Sequence, residues 1–137
     1  FDNTVLYPAV ETMLNDLRQA GVKMAVLSNK PHAFVKLTVE TLMPTVHFDA
    51  VLGEGEDTPA KPDPTGALRV AATMGVDSGR IAYVGDTSID METATRAGMY
   101  AVGVSWSFRD REELNRSGAK TIVDSVGQLC RLILNGQ

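Results

Sequence analysis

The sequence is poor in the features that define disulfide-rich, membrane-spanning and nucleic-acid-binding proteins. Cys130 is the only cysteine among 137 residues, so the chain can form no internal disulfide. No apolar run approaches the ~20 residues of a membrane-spanning helix, and no signal peptide opens the chain. Lysine and arginine number 13 against 17 aspartates and glutamates, so there is no basic excess for nucleic acid or an anionic membrane. These absences predict a cytoplasmic protein that binds neither nucleic acid nor membranes.

A globular composition, with 44% hydrophobic residues, predicts a single domain over residues 1–137 that buries a core. Short apolar runs alternate with amphipathic segments along it. Strands are predicted at 22–27, 48–52, 81–84, 100–104 and 121–123. Helices are predicted at 8–20, 31–42, 63–74, 88–97 and 109–116, with an irregular lead-in at 1–7 and a last helix capped by Asp124 or Ser125. This alternation predicts an α/β fold: a Rossmann-like parallel sheet with helices on both faces.

Residues 83–90 are the stretch around which the predicted site is organised. They lead from an apolar strand into a helix; Gly85 is expected to let the backbone turn sharply, and Ser88 to cap the helix. Asp86 and Asp90 then lie at the carboxyl edge of the sheet, where α/β proteins bind ligands. Carboxylates at that edge suit a hard cation such as Mg²⁺. The plainer alternative is that both aspartates only cap the turn.

Polar residues also follow two other predicted strands. Ser28 and Asn29 come after the first strand, and Lys61 lies in the loop after the second. Because parallel strands end at one edge of the sheet, these side chains are expected to converge with the two aspartates. A hydroxyl, a free backbone N–H and an ammonium bind phosphate, and nearby carboxylates bind its magnesium, so the set suits phosphoryl transfer. Taken singly, Ser28 is better explained as a helix cap and Lys61 as a solvated loop residue.

Four motifs hold these residues in a fixed order. They are Tyr-Pro-Ala-Val at 7–10, Leu-Ser-Asn-Lys-Pro at 27–31, Lys-Pro-Asp-Pro at 61–64 and Val-Gly-Asp-Thr-Ser-Ile-Asp at 84–90, with Ala-Gly at 97–98 ending the helix that follows. In these motifs the chain resembles the haloacid dehalogenase superfamily, and within it the phosphoglycolate phosphatase-like branch. The resemblance runs in register over nearly the whole chain.

The resemblance implies a role for each matched residue. Ser28 would hydrogen-bond the phosphoryl group, with Asn29 beside it, and Lys61 would neutralise the nucleophile and the phosphate. Asp86 would ligate Mg²⁺, and Asp90 would support the metal or Lys61. The residues predicted to be catalytic are therefore Ser28, Lys61 and Asp90, those that bind phosphate are Ser28, Asn29 and Lys61, and the metal ligand is Asp86.

The sequence departs from the family pattern at its start. Members begin with a strand ending in Asp-x-Asp-x-Thr, whose first aspartate is the nucleophile; no complete copy stands in these 137 residues, nor does the helical cap domain that normally follows it. Either residues 1–6 are the hinge that returns from such a cap, which makes the chain the C-terminal part of a longer enzyme, or residues 2–5 are the second half of the motif. The missing strand would lie between the strands ending at Leu27 and Val84, so a gap is expected there.

The predicted function is a magnesium-dependent phosphomonoester hydrolase of a small phosphorylated metabolite, with 2-phosphoglycolate as the best single substrate by resemblance. A sugar phosphate or nucleoside monophosphate substrate stays open, as does mutase or phosphonate hydrolase activity. The rival hypothesis is a pseudo-enzyme that keeps a phosphate-binding edge without the nucleophile. A response-regulator-like fold is a weaker alternative, because Ser28 and Asn29 stand where it needs an acidic pair. No oligomeric state is predicted.

Overall fold

A computed structural model of the chain describes residues 3–55, 58–105 and 111–135. The helices in these ranges are α1 (Asn3–Gln19), α2 (His32–Leu42), α3 (Thr65–Met74), α4 (Ser88–Arg96), α5 (Arg111–Arg116) and α6 (Val126–Asn135). The strands are β1 (Ala25–Pro31), β2 (Ala50–Glu54), β3 (Ala82–Gly85), β4 (Tyr100–Val104) and β5 (Thr121–Val123). A short 3-10 helix at Ser78–Arg80 precedes β3. Strands and helices alternate as predicted.

The five strands of the described ranges pair in parallel. β1 pairs with β2, and β4 lies between β3 and β5. Parallel neighbours need a crossover connection, and α2 supplies it between β1 and β2, α4 between β3 and β4, and α5 between β4 and β5. The predicted α/β fold with parallel strands is therefore confirmed.

The strands form two sheets, separated between β1 and β3. Within the described residues, β1 has a strand neighbour only on its β2 side and β3 only on its β4 side. The gap falls where the family resemblance puts the absent central strand. In β3 the side chain of Val84 is 38% exposed, whereas Val102 of β4 is fully buried. β3 thus has the exposure of an edge strand, with one row of backbone groups lacking a strand partner.

Two apolar clusters form the core, one on each face of β4. The first contains Ala101 together with side chains of α3, α4 and α5, and Leu27 and Tyr83 pack against it. The second contains Val102 and Val104 together with side chains of α1 and α6. Successive residues of a strand point to opposite faces, so Ala101 and Val102 enter different clusters. Helices thus cover both faces of the three-stranded sheet, as predicted.

Helix α1 begins earlier than predicted. The lead-in assigned to residues 1–7 is wrong for Asn3–Tyr7, because the helix starts at Asn3; residues 1 and 2 lie outside the described ranges. Pro8 is therefore inside the helix rather than at its first position, and its missing N–H removes one bond to the carbonyl of Thr4. The first four N–H groups of any helix have no intrahelical partner. The hydrogen bond lost at Pro8 is therefore close to the unpaired N–H groups at the start of α1.

The first two strands lie later than predicted, and the shift changes what β1 carries. The N–H of Val22 donates to the carbonyl of Leu17 at 3.0 Å, and Gly21 has a φ of 86°, so Val22 completes the end of α1 instead of opening a strand. β1 continues through Ser28 and Asn29 to Pro31, and β2 runs over Ala50–Glu54 instead of 48–52. The start predicted for α5 at 109 lies outside the described ranges.

Among the residues that the structure describes, no helix has both the length and the apolar character that crossing a membrane requires.

Candidate active site

Ser28 and Asn29 lie near the carboxyl end of β1. The Ser28 hydroxyl oxygen accepts a hydrogen bond from the N–H of Lys30 at 3.2 Å. Pro31 holds the N-cap position of α2, so the helix-cap explanation of Ser28 does not hold. A hydroxyl that accepts still has its own hydrogen to donate, and Ser28 can therefore donate to a ligand at this edge.

The end of β3 and the start of α4 are tied together by Asp90 and Thr87. Thr87, not Ser88 as predicted, is the N-cap residue, and its hydroxyl oxygen accepts from the Asp90 N–H at 3.1 Å. In return, Asp90 Oδ2 accepts from the Thr87 hydroxyl at 3.0 Å and from the Asp86 N–H at 3.3 Å. Thr87 thus caps the Asp90 N–H, and the Asp90 carboxylate in turn holds the Thr87 hydroxyl and the N–H of Asp86, the residue before the cap.

Thr87 is the capping residue that the prediction missed, although the sequence holds a signal for it. The spacing Thr-x-x-Asp at 87–90 is the pattern of a capping box. Ser88 is an equally good cap by residue type, but it is followed three residues later by Met91, which cannot return a hydrogen bond. The reciprocal acceptor therefore decides in favour of Thr87.

Lys61 forms a buried ion pair with Asp90. Its Nζ lies 2.6 Å from Asp90 Oδ1, and the two side chains are only 14% and 10% exposed. Lys61 is therefore not the solvated loop residue of the plainer explanation. The peptide bond that follows it, Lys61–Pro62, is cis.

A chain of direct hydrogen bonds joins the residues that the sequence singled out. The side-chain amide of Asn29 bonds the backbone of Lys61, Lys61 pairs with Asp90, and Asp90 accepts from the N–H of Asp86. Ser28 precedes Asn29 on β1. The loop after β2 and the ends of β1 and β3 thus meet at one place, across the gap between the two sheets.

Gly85 is required for a different reason from the predicted one. It is the last residue of β3, and its φ is not positive, so it makes no sharp left-handed turn. A Cβ at this position would stand 2.3 Å from Asp90 Cβ and 2.6 Å from Asp90 Oδ2. Gly85 therefore serves the close approach of the Asp90 side chain to the strand.

Replacing Gly85 with alanine is expected to push Asp90 away from Lys61 and to destabilise the protein by about 2 kcal/mol or more, because overpacking of this kind costs roughly 1–3 kcal/mol and the ion pair is strained as well. Urea unfolding measures the change. Gly79→Ala is the matched control, since no atom lies within 4 Å of a Cβ built there. Equal stability of the two variants would show that the Asp90 side chain can move to accommodate a Cβ at position 85.

Tyr83 contributes no charge to the site. Its hydroxyl is buried and forms no well-aligned hydrogen bond with a described residue; the neighbouring Thr93 hydroxyl donates to the carbonyl of Ile89 at 2.7 Å. Burial raises the pKa of Tyr83 far above its ordinary value, and the nearby Asp90 carboxylate raises the pKa further, against a smaller opposite effect of Thr93. Tyr83 therefore stays neutral.

Asp86 is the residue predicted to bind the metal. No group of three or more histidine, cysteine, aspartate or glutamate side chains comes together as a metal site in residues 3–55, 58–105 and 111–135. The two oxygens of Asp90 are already engaged by Lys61, Thr87 and the Asp86 N–H. Mg²⁺ takes six oxygens in near-octahedral geometry, usually one or two of them from carboxylates. Asp86 can supply one ligand, and the described residues by themselves do not complete a magnesium site.

The fold and these strand-end groups define the class of the protein, an α/β protein whose functional groups gather at the carboxyl edge of parallel strands. A profile of the family described as haloacid dehalogenase-like hydrolase matches residues 1–104. The chain belongs to the haloacid dehalogenase-like hydrolase family.

Known proteins similar to the chain agree with this assignment. The chain is 31% identical to the phosphoglycolate phosphatase of Salmonella typhimurium over 128 residues, which is 93% of this chain and 51% of the relative. It is 30% identical to the phosphoglycolate phosphatase of Pseudomonas putida over 126 residues, 92% of this chain and 46% of that protein. The chain therefore spans about half the length of the curated relatives that it matches.

A solved structure shows the same fold. The crystal structure of a candidate phosphoglycolate phosphatase from Lactobacillus delbrueckii subsp. bulgaricus superposes with a TM-score of 0.87 at 38% sequence identity. The superposition covers 92% of this chain and 52% of that one. The predicted resemblance to the phosphoglycolate phosphatase-like branch is confirmed.

Proposed function

We propose that this chain is the core portion of a magnesium-dependent phosphomonoester hydrolase that acts in the cytoplasm on a small phosphorylated metabolite. Family membership supports the reaction class. The names of the relatives support 2-phosphoglycolate as the first substrate to test, ahead of sugar phosphates and nucleoside monophosphates. The observation that carries the proposal is the Lys61 ammonium, largely shielded from solvent and fixed 2.6 Å from Asp90 at the edge where the strands end.

In this proposal Lys61 and Ser28 bind the phosphoryl group. A lysine ammonium has three N–H donors, and Asp90 takes one of them, so two remain for phosphoryl oxygens. The Ser28 hydroxyl adds a neutral donor from β1. Phosphoryl transfer depends chiefly on positioning and charge neutralisation. Asp90 serves the positioning by holding the ammonium in one place, and the ammonium supplies the positive charge.

Asp86 is the residue to which we assign Mg²⁺, with further ligands from outside the described residues. When bound, the ion would neutralise phosphate charge. The described residues supply positioning, hydrogen-bond donors and the lysine charge without it. The nucleophile, an aspartate in the family pattern, is likewise assigned to no residue of this chain.

The test of the proposal is Asp86→Asn in the complete protein that carries this segment. We expect turnover of 2-phosphoglycolate to fall by about 100-fold or more, because the amide is a weaker ligand for a hard cation than the carboxylate. Turnover is measured across a Mg²⁺ titration, with a sugar phosphate and a nucleoside monophosphate in parallel. The melting temperature should stay nearly unchanged, since Asp86 is bonded to Asp90 through its backbone N–H.

Asp77→Asn is the matched control, because Asp77 is exposed and its side chain makes no capping hydrogen bond. Equal losses in the two variants would remove Asp86 from the metal site. If the unmodified protein hydrolyses none of the three substrates with Mg²⁺ present, the hydrolase proposal is refuted and the pseudo-enzyme hypothesis takes its place.

A further inference from the structure

Asn29 holds the backbone of Lys61 from both sides. Its Oδ1 accepts from the Lys61 N–H at 2.6 Å, and its Nδ2 donates to the Lys61 carbonyl at 3.3 Å. A planar amide that bonds the N–H and the C=O of one residue restricts both the position and the rotation of that residue. Both bonds are partly buried, which lessens the competition from water.

The two ends of Lys61 are fixed by different parts of the molecule. Asn29 belongs to β1, in the two-stranded sheet, while Asp90 belongs to α4, which packs on the three-stranded sheet. Since no strand bridges the two sheets within the described residues, Lys61 links them through its own backbone and side chain. The place of the ammonium therefore depends on Asn29 as well as on Asp90.

We infer that Asn29 is a positioning residue for Lys61 and acts on a bound phosphoryl group through that lysine. The inference rests on the proposed function for its catalytic consequence, and replaces the direct phosphate-binding role implied by the family resemblance. Its physical basis is that the resolved hydrogen bonds of the Asn29 side chain go to the Lys61 backbone. Small displacements of a positioned charge lower a reaction rate by large factors. Loss of the two Asn29 hydrogen bonds should therefore lower the turnover rate more than the affinity for substrate.

The first measurement needs no activity. In the complete protein, Asn29→Ala is expected to speed hydrogen exchange of the Lys61 amide by about tenfold, because the amide loses its acceptor. Asn29→Asp keeps an acceptor for that N–H and should retain most of the protection. Asn15→Ala is the control: Asn15 also donates to a neighbour, Thr45, but far from Lys61. Unchanged exchange in Asn29→Ala would overturn the inference, whatever the protein is found to catalyse.

The second measurement separates positioning from direct contact by a double-mutant cycle. Asn29→Ala is expected to lower kcat about tenfold or more with little change in KM, and to have almost no further effect in a Lys61→Met background. Binding of inorganic phosphate is measured in the same four proteins. If Asn29 touched phosphate directly, its loss would weaken phosphate binding equally in both backgrounds, and the inference would be wrong. Absence of turnover in the unmodified protein would refute the proposed function and leave the exchange result standing.

Discussion

Replacing Lys61 with alanine is expected to abolish nearly all phosphatase turnover and to destabilise the folded protein as well. The loss of turnover should be about 10³-fold or more, because a preorganised donor that also carries charge is removed from the phosphoryl group. The loss of stability should be about 3 kcal/mol, because Asp90 stays buried without its counter-ion. Steady-state kinetics in the complete protein and urea unfolding measure the two effects.

A double variant separates the two effects of Lys61. Combining Lys61→Met with Asp90→Asn removes both charges, so no unpaired carboxylate is buried, and much of the lost stability should return while turnover stays low. Lys36→Ala is the control, since Lys36 is exposed on α2. Near-normal turnover in Lys61→Ala would remove Lys61 from the active site. A double variant as unstable as Lys61→Ala would show that the buried charge is not what costs stability.

The 137-residue chain on its own is expected to be poorly stable, or inactive, unless another segment fills the gap between β1 and β3. Among the described residues, both of these strands leave a row of backbone groups without a strand partner, and Val84 of β3 is 38% exposed. A strand seated there would pair with both edges and bury apolar side chains at about 1.5–3 kcal/mol each. The stabilities of the chain and of the complete protein are compared by monitoring their unfolding with circular dichroism.

The variant Val84→Thr tests whether the low stability of the chain alone comes from the gap beside β3. In the chain alone it should cost little, whereas in the complete protein, with a strand beside β3, it should cost about 1–2 kcal/mol because a hydroxyl becomes buried. Leu134→Thr on α6 is the matched control, being 40% exposed and remote from the gap, and should cost the same in both. A cooperative melt of the chain as a monomer, together with magnesium-dependent phosphatase turnover, would contradict the prediction.

The fold class was predictable because it depends on local patterns repeated along the chain. Apolar runs of strand length alternate with amphipathic segments. Each segment shows its own hydrophobic periodicity and has characteristic residues at its ends. β4 and β5 match their predicted bounds, and α3 ends at Met74, where the prediction put its end. The predictions failed at the starts of α1, β1 and β2; before β1, the N–H of Val22 bonds the carbonyl of Leu17 and so belongs to the end of α1.

Many residues of the candidate site could also be predicted from the sequence, but the hydrogen bonds between them could not. The residue types and their places after the strands singled out Ser28, Lys61 and Asp86. Which polar atoms pair could not be predicted, because Asn29 and Lys61 are 32 residues apart, and Lys61 and Asp90 are 29 apart. The choice between Thr87 and Ser88 as cap, and the need for Gly85 beside Asp90, follow from distances of a few ångströms.

From periodicity and residue type, which act over short stretches of chain, the sequence predicts an α/β fold whose hydroxyl, ammonium and carboxylate groups gather where its strands end. The packing of distant segments decided that Lys61 is held at its backbone by Asn29 and at its ammonium by Asp90. It also decided that the parallel strands divide into two sheets with a gap between β1 and β3. Both features depend on contacts between segments that only packing brings together.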